Sequence, residues 1–335
     1  MPGGRHVAAV TDADFDLAPG ECLALVGESG CGKSVLASAL LGLLPGNAEA
    51  SGSALLDGVD LLAADERTLA RTVRGRRVGL VPQSPAAHLT PVRTVRAQLE
   101  ETVRALTTVR RGGRRAAAEA AVRRWGPRRR DGRVAAEAAV REPNFVPRPD
   151  RPAAAEAAAG RAAFPLDHLD RYPHELSGGL AQRAALALAL VGGAPLLLAD
   201  EPTTGLDRDL VDRTVDELRR HADDGRGLLL ITHDLAAAER IADRVAVMYA
   251  GRIVETADAR RFFGAPGPRH PYARGLLDAL PDRAFTPVPG LPPELSALPD
   301  GCAFAPRCDR ATDTCATRPA LRAGVACHHA ETTHA

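Results

Sequence analysis

The chain has 335 residues, 45% of them hydrophobic, and a formal net charge of +1, a balance that offers no electrostatic case for a nucleic-acid partner. The length supports one large domain or two smaller ones with a real core. No apolar run reaches the ~18 residues of a membrane-spanning helix. The nearest, residues 184–199, is broken by Gly192, Gly193 and Pro195, and the N-terminal MPGGRHVAAVTDAD lacks the apolar centre of a secretory signal. The expectation is a soluble, cytoplasmic protein that meets a membrane only through a partner.

In chain order, VAAV (7–10) and then residues 15–26 read as a strand and a hairpin turning at Pro19-Gly20. Residues 27–34, GESGCGKS, fit G-x-x-x-x-G-K-[ST] between an apolar strand and a helix predicted over 34–44. Gly27, Gly30 and Gly32 let the backbone curl so that its N–H groups point inward, and the helix start adds positive potential. Lys33, the only lysine in the chain, offers a mobile ammonium for terminal phosphates, and the Ser34 hydroxyl can ligate Mg2+. Residues 51–60 read as a second hairpin, 65–74 as a short helical piece and 78–82 as a strand. Residues 107–165 are rich in Ala and Arg but interrupted by Gly and Pro. They read as two or three short helices with mobile joints in a solvated insert, with a nucleic-acid-binding arm at RRWGPRRRDGR as the lesser alternative. Helices at 180–191, 207–222 and 235–242 alternate with strands at 196–199, 228–232 and 244–249, which indicates a parallel sheet with crossover helices. Beyond residue 263 the chain turns Pro-rich and forms a separate tail.

The strand at 196–199 runs into Asp200 and Glu201. At such a tip Asp200 can hold Mg2+ through water, and Glu201 can orient and deprotonate the water that attacks a γ-phosphate. Leu176-Ser177-Gly178-Gly179 with Gln182-Arg183 resembles the LSGGxxQR signature of ABC-type ATPases, and stands before the acidic strand as in that family. Gln83 in VPQSP resembles the Q-loop glutamine, Asp207 in GLD the D-loop aspartate and His233 in ITHD the switch histidine.

The resemblance implies an α/β, ABC-type P-loop NTPase domain over residues 1–263. It would have a mostly parallel sheet with flanking helices, a β hairpin subdomain and a helical subdomain carrying the Ala/Arg-rich insert at about 84–180. ATP would be held by Gly27, Ser29, Gly30, Cys31, Gly32, Lys33 and Ser34. Ser177, Gly178, Gly179 and Asp207 would close on ATP held by a second, paralogous ATPase subunit. Mg2+ would be held by Ser34, Gln83 and Asp200, with Glu201, His233 and Gln83 serving hydrolysis and coupling.

Residues 269–272, RHPY, then ARGLLDALP and PVPGLPPELSALPDGCAFAPRC, resemble the C-terminal region of oligopeptide/dipeptide ABC importer ATPases, a group that includes nickel and metallophore importers. This implies two transmembrane permease subunits, an extracytoplasmic solute-binding protein, no nucleic acid, and a place on the cytoplasmic face of the membrane. Some relatives carry a [4Fe–4S] cluster on four tail cysteines. Here Cys302, Cys308, Cys315 and Cys327 are spaced C-x5-C-x6-C-x11-C. Iron–sulfur, tetrahedral zinc and unliganded thiols remain alternatives for them. Two departures stand out. Relatives stack adenine on an aromatic in the opening strand, whereas Phe15 is the only aromatic before Gly27, with His6 a weak substitute. The stretch between Gln83 and Ser177 is also longer and richer in Ala and Arg than usual. The contrasting reading is a soluble ABC-type ATPase acting on ribosomes or DNA. A non-hydrolysing structural subunit is disfavoured by Glu201 and His233.

Overall fold

A computed structural model describes residues 7–107 and 150–330. The chain divides into two units, Met1–His88 with Gly193–Ala335, and Leu89–Gly192.

The first unit is built on a six-stranded sheet in the order β4-β5-β6-β1-β7-β8. Its strands are β1 (Cys22–Val26), β4 (Val78–Val81), β5 (Leu196–Asp200), β6 (Gly227–Thr232), β7 (Arg244–Tyr249) and β8 (Arg252–Asp258). A separate two-residue hairpin pairs β2 (Leu55–Leu56) with β3 (Val59–Asp60). β1, β4, β5, β6 and β7 are parallel. β1 and β6 are buried along their whole length, which is why they read as continuous rather than alternating apolar runs. The parallel pairing brings the C-terminal ends of four strands to one sheet edge. Val26 lies opposite Thr232, Asp200 opposite Ile231, and Val81 opposite Ala199. The loops that carry Gly27–Ser34, Gln83, Glu201–Asp207 and His233 leave from that edge.

The structure departs from the sequence expectation at two strands. Residues 7–18 form no strand and no hairpin with β1. The physical reason is that β1 is bonded to β6 on one side and β7 on the other, so neither edge is free to accept a partner. The turn at Pro19-Gly20 is present, closed by Glu21 N–H on Ala18 O at 3.1 Å. Conversely β8 was not anticipated. It returns antiparallel to β7 after a two-residue turn whose residues, Ala250 and Gly251, have φ of 49° and 80°. Two successive left-handed residues match the right-handed twist of a hairpin; the sequence places a turn at Ala250-Gly251 but gives no sign of the strand that follows it.

Residues 264–330 lie in the same unit as the sheet. One helix, Pro271–Asp278, is capped by His270, whose Nδ1 accepts the Tyr272 N–H at 3.1 Å. The rest is irregular and held by aromatic packing. Tyr249 of β7, Tyr272 and Phe304 are mutually in contact, with ring centroids 4.4–5.4 Å apart.

In the second unit, helices Val95–Thr107, Arg151–Arg161 and Gly178–Leu190 pack together. Arg96 joins Asp170 and Glu156. The Ala-rich helix Arg151–Arg161 is packed rather than solvated: Ala155, Ala158 and Ala159, on one face, are buried. The remainder of the 107–165 expectation, including the basic RRWGPRRRDGR, lies outside the described residues.

Candidate nucleotide site

The phosphate loop leaves β1 at Gly27. A Cβ built there would lie 2.2 Å from Met248 O, so only glycine fits. At Gly32, φ is 106° and a Cβ would lie 2.3 Å from Ala9 O. The helix Lys33–Leu40 begins directly after it, with no side-chain cap and no acidic residue in its first turn. Its first N–H groups are therefore left for an external anion. Lys33 is buried, and its Nζ donates to Gly27 O at 2.7 Å and Glu28 O at 3.0 Å and lies 3.8 Å from Cys31 Sγ. The ammonium rests on loop carbonyls that it can exchange for phosphate oxygens. Ser29 and Gly30 are exposed at the tip. The buried thiol of Cys31 is pushed up by desolvation, and that of Cys22 is pushed up to about 12 by the same cause. Both side chains are buried, and Cys31 packs into the core beneath the loop.

Across from the loop, β5 ends in Asp200. Its carboxyl is raised by burial and by the neighbouring Glu201 charge, against the lowering effects of a hydrogen bond with the Ser34 side chain and of Lys33. Asp200 Oδ1 is buried without a partner. A Ser hydroxyl beside a carboxylate with an unused oxygen is the donor set a hexacoordinate Mg2+ takes from a phosphate-loop protein, the rest coming from water and phosphates. The residues present fit that ion. Glu201 follows with φ of 50°, its N–H donating to Ile231 O at 2.8 Å. Its Oε2 lies 2.8 Å from His233 Nδ1 and 3.5 Å from Thr232 Oγ1. Glu201 is buried and His233 is exposed, so the pair has one end in the protein and one facing out.

Thr232 was missed by the sequence reading. It also accepts the Asp234 N–H at 2.9 Å, which sets the loop that presents His233. Its signal was present as the last residue of an apolar strand directly before that histidine. Gln83 stands two residues beyond β4, exposed, on the same sheet edge. Asp207 caps helix Arg208–Asp223 by accepting the Leu210 N–H at 3.0 Å.

In the second unit, Ser177 caps helix Gly178–Leu190, its Oγ accepting the Leu180 N–H at 3.3 Å. Gly178 and Gly179 form the first turn, which carries no acidic residue, and a Cβ at Gly178 would meet nothing. This helix start, two glycines behind the Ser177 cap, is open to solvent at Ser177 and Gly178.

The tail cysteines are all free thiols. The Cys302 N–H bonds Cys315 O at 2.9 Å, and Cys327 Sγ accepts the His329 N–H at 3.3 Å. Burial raises the thiols of Cys302, Cys308 and Cys327, and the charges of neighbouring cysteines add to this. The structure lends no support to an iron–sulfur or zinc site on Cys302, Cys308, Cys315 and Cys327. Among the described residues no three His, Cys, Asp or Glu side chains are grouped to hold a metal ion. His329 is engaged instead by Thr312 and His328 by Thr317.

Known proteins resemble the chain in both its nucleotide-site region and its tail. Residues 10–204 match the family model described as ABC transporter, and residues 254–315 match oligopeptide/dipeptide transporter, C-terminal region. A protein of Brucella melitensis named for peptide import and ATP binding is 40% identical, covering 97% of this chain and 90% of its own length. The oligopeptide transport ATP-binding protein OppD of Salmonella typhimurium is 37% identical, covering 95% of this chain and 85% of its own. In fold, the chain is similar to the ATP-binding cassette MJ0796, solved as a dimer in a post-hydrolysis state bound to ADP and Pi. The TM-score is 0.58 at 22% identity, over 75% of this chain and 91% of that one. No helix among the described residues is long and apolar enough to cross a membrane. With its motifs in family order and its tail matched separately, the chain belongs to the ABC transporter family, in the group that carries the oligopeptide/dipeptide transporter C-terminal region.

Proposed function

We propose that this chain is the ATP-hydrolysing subunit of an ABC importer for peptides or related small solutes. The observation that carries the proposal is the single sheet edge that bears an uncapped phosphate-loop helix, the half-used Asp200 carboxylate and the Glu201–His233 pair. The Gly27–Ser34 backbone and Lys33 hold the phosphates, and Ser34 and Asp200 hold Mg2+, with Gln83 at the edge of the site. An ion held there would supply positive charge against that of the phosphates. Glu201 takes the proton of the attacking water, and His233 contacts the γ-phosphate while steadying the Glu201 carboxylate. Ser177, Gly178, Gly179 and Asp207 serve the nucleotide of a second, paralogous ATPase subunit, whose own signature closes on the loop of this chain.

Residues 1–263 form the ATPase domain and 264–335 the importer-type tail. Two permease subunits and a solute-binding protein complete the assembly, and the chain works at the cytoplasmic face of the membrane. A ribosome- or DNA-directed role is disfavoured by the match of the tail to a transporter region. A [4Fe–4S] cluster on the four tail cysteines rests on thiol chemistry alone, and no step of ATP hydrolysis passes through it. A colourless, zinc-free protein purified without oxygen removes it.

The test of the main reading is Glu201→Gln in the assembled complex. Turnover should fall by about 10²–10⁴ while ATP-dependent pairing of the subunits persists. Undiminished hydrolysis would remove Glu201 from its role.

A further inference from the structure

Glu28, a variable position within the phosphate-loop pattern, has all of its polar groups engaged. Its carbonyl accepts from Lys33 Nζ, and its N–H donates to Tyr272 Oη at 2.8 Å. Its carboxylate receives both arms of Arg307, Nη1 to Oε2 at 2.7 Å and Nη2 to Oε1 at 2.9 Å, across 279 positions of sequence. Arg307 is itself fully committed. Nε donates to Pro289 O at 2.6 Å, Nη2 also reaches Gly290 O at 3.4 Å, and Nη1 also reaches Tyr249 Oη at 3.3 Å. The guanidinium thus places all five of its N–H groups from a side chain only 5% exposed. Tyr272 is 0% exposed in the aromatic cluster. The tail wall continues along the loop: Pro292, Pro293, Glu294 and Leu295 line a cavity of about 190 Å³ together with Ser29 and Gly30.

We propose that the C-terminal tail pre-sets the phosphate loop for MgATP, with Arg307 and Tyr272 as positioning residues acting through Glu28. This rests on the nucleotide reading above. When Lys33 turns from the loop carbonyls to a phosphate, Glu28 loses one of its holds and keeps the two supplied by the tail. The loop therefore keeps its curl without having to be ordered by the ligand, and ordering avoided on binding appears as affinity. Charge alone is insufficient: a lysine at 307 could not reproduce the bidentate fork or the bonds to Pro289 and Gly290.

The experiment is steady-state ATP hydrolysis by the full chain assembled with its companion subunits, comparing wild type, Arg307→Lys, Glu28→Gln, the double variant and Tyr272→Phe. Arg307→Lys should raise KM for MgATP about tenfold with kcat within about twofold, the loss expected of charge-assisted hydrogen bonds felt through a loop. The double variant should be no worse than Glu28→Gln. Tyr272→Phe keeps its ring in the cluster, so it should fold even where Arg307→Lys does not, and should raise KM about threefold for one lost hydrogen bond. Unchanged KM in Arg307→Lys and Tyr272→Phe overturns the inference, as does a loss in the double variant equal to the product of the single losses. A wild-type assembly that binds no MgATP overturns the nucleotide reading together with it, whereas normal wild-type binding with unaltered variants overturns this inference alone.

Discussion

The sheet edge at the phosphate loop and the cluster where the tail meets β7 and β8 treat polar groups in opposite ways. At the edge, groups are left short. The helix Lys33–Leu40 has no cap, Asp200 Oδ1 has no partner, and Glu201 holds a left-handed backbone. At the tail cluster most groups are filled, the buried Arg269 Nε being an exception. Arg307 uses all five N–H groups, and buried Glu255 accepts the N–H groups of Arg269 and His270 at 2.8–3.1 Å. Unmet bonds in a buried place cost stability and are tolerated where a ligand supplies the missing partner. Met bonds hold an irregular segment with little secondary structure of its own. The two regions touch at Glu28, which belongs to the first and is tied down by the second.

The contrast can be broken or sharpened by substitution. Lys33→Ala should cost most at the first region, lowering kcat/KM for ATP by about 10²–10³, with a melting temperature within about 2 °C of wild type. A large loss of stability with ATP hydrolysis retained would reverse the assignment of this lysine. Phe304→Ala should cost most at the second, about 3–5 kcal/mol in a denaturant titration, because it empties the centre of a buried aromatic cluster.

Asp200→Asn separates the regions by sign. Burial raises the Asp200 carboxyl, so its ionisation opposes folding when no cation is bound. That penalty is present at neutral pH and relieved as pH falls through the folded-state value. The metal-free variant should therefore melt about 2–4 °C above wild type at neutral pH. The gap should shrink on acidification toward the ordinary carboxylate range, and Mg2+-dependent hydrolysis should be lost. A variant that melts lower at neutral pH would mean that Asp200 is satisfied after all. Ala250→Gly is the smallest effect, a gain of about 0.5–1 kcal/mol, since φ of 49° suits glycine. No gain would mean that the β7–β8 turn relaxes without help.

What could be read in advance follows the same divide. Phosphate chemistry demands fixed residue types in short local motifs, so Lys33, Ser34, Asp200, Glu201 and His233 could each be named as candidates from the sequence. The parallel alternation of β5, β6 and β7 was legible for a similar reason, because strands buried on both faces must be continuously apolar. The false hairpin before β1 arose because local sequence is silent on whether a strand's edges are already taken. The Glu28–Arg307 fork was invisible because a long-range ion pair leaves no periodic trace. The cysteine spacing gave the expectation of a cluster. The four thiols lie near enough for their charges to couple, but among the described residues no three His, Cys, Asp or Glu side chains are grouped to hold a metal ion.

The bend at Glu201 carries a practical warning. A left-handed backbone at the tip of β5 would be more comfortable with glycine or asparagine, by on the order of 1 kcal/mol. Any selection for heat resistance alone would be drawn to that position. It would return proteins that survive longer hot and no longer turn over nucleotide.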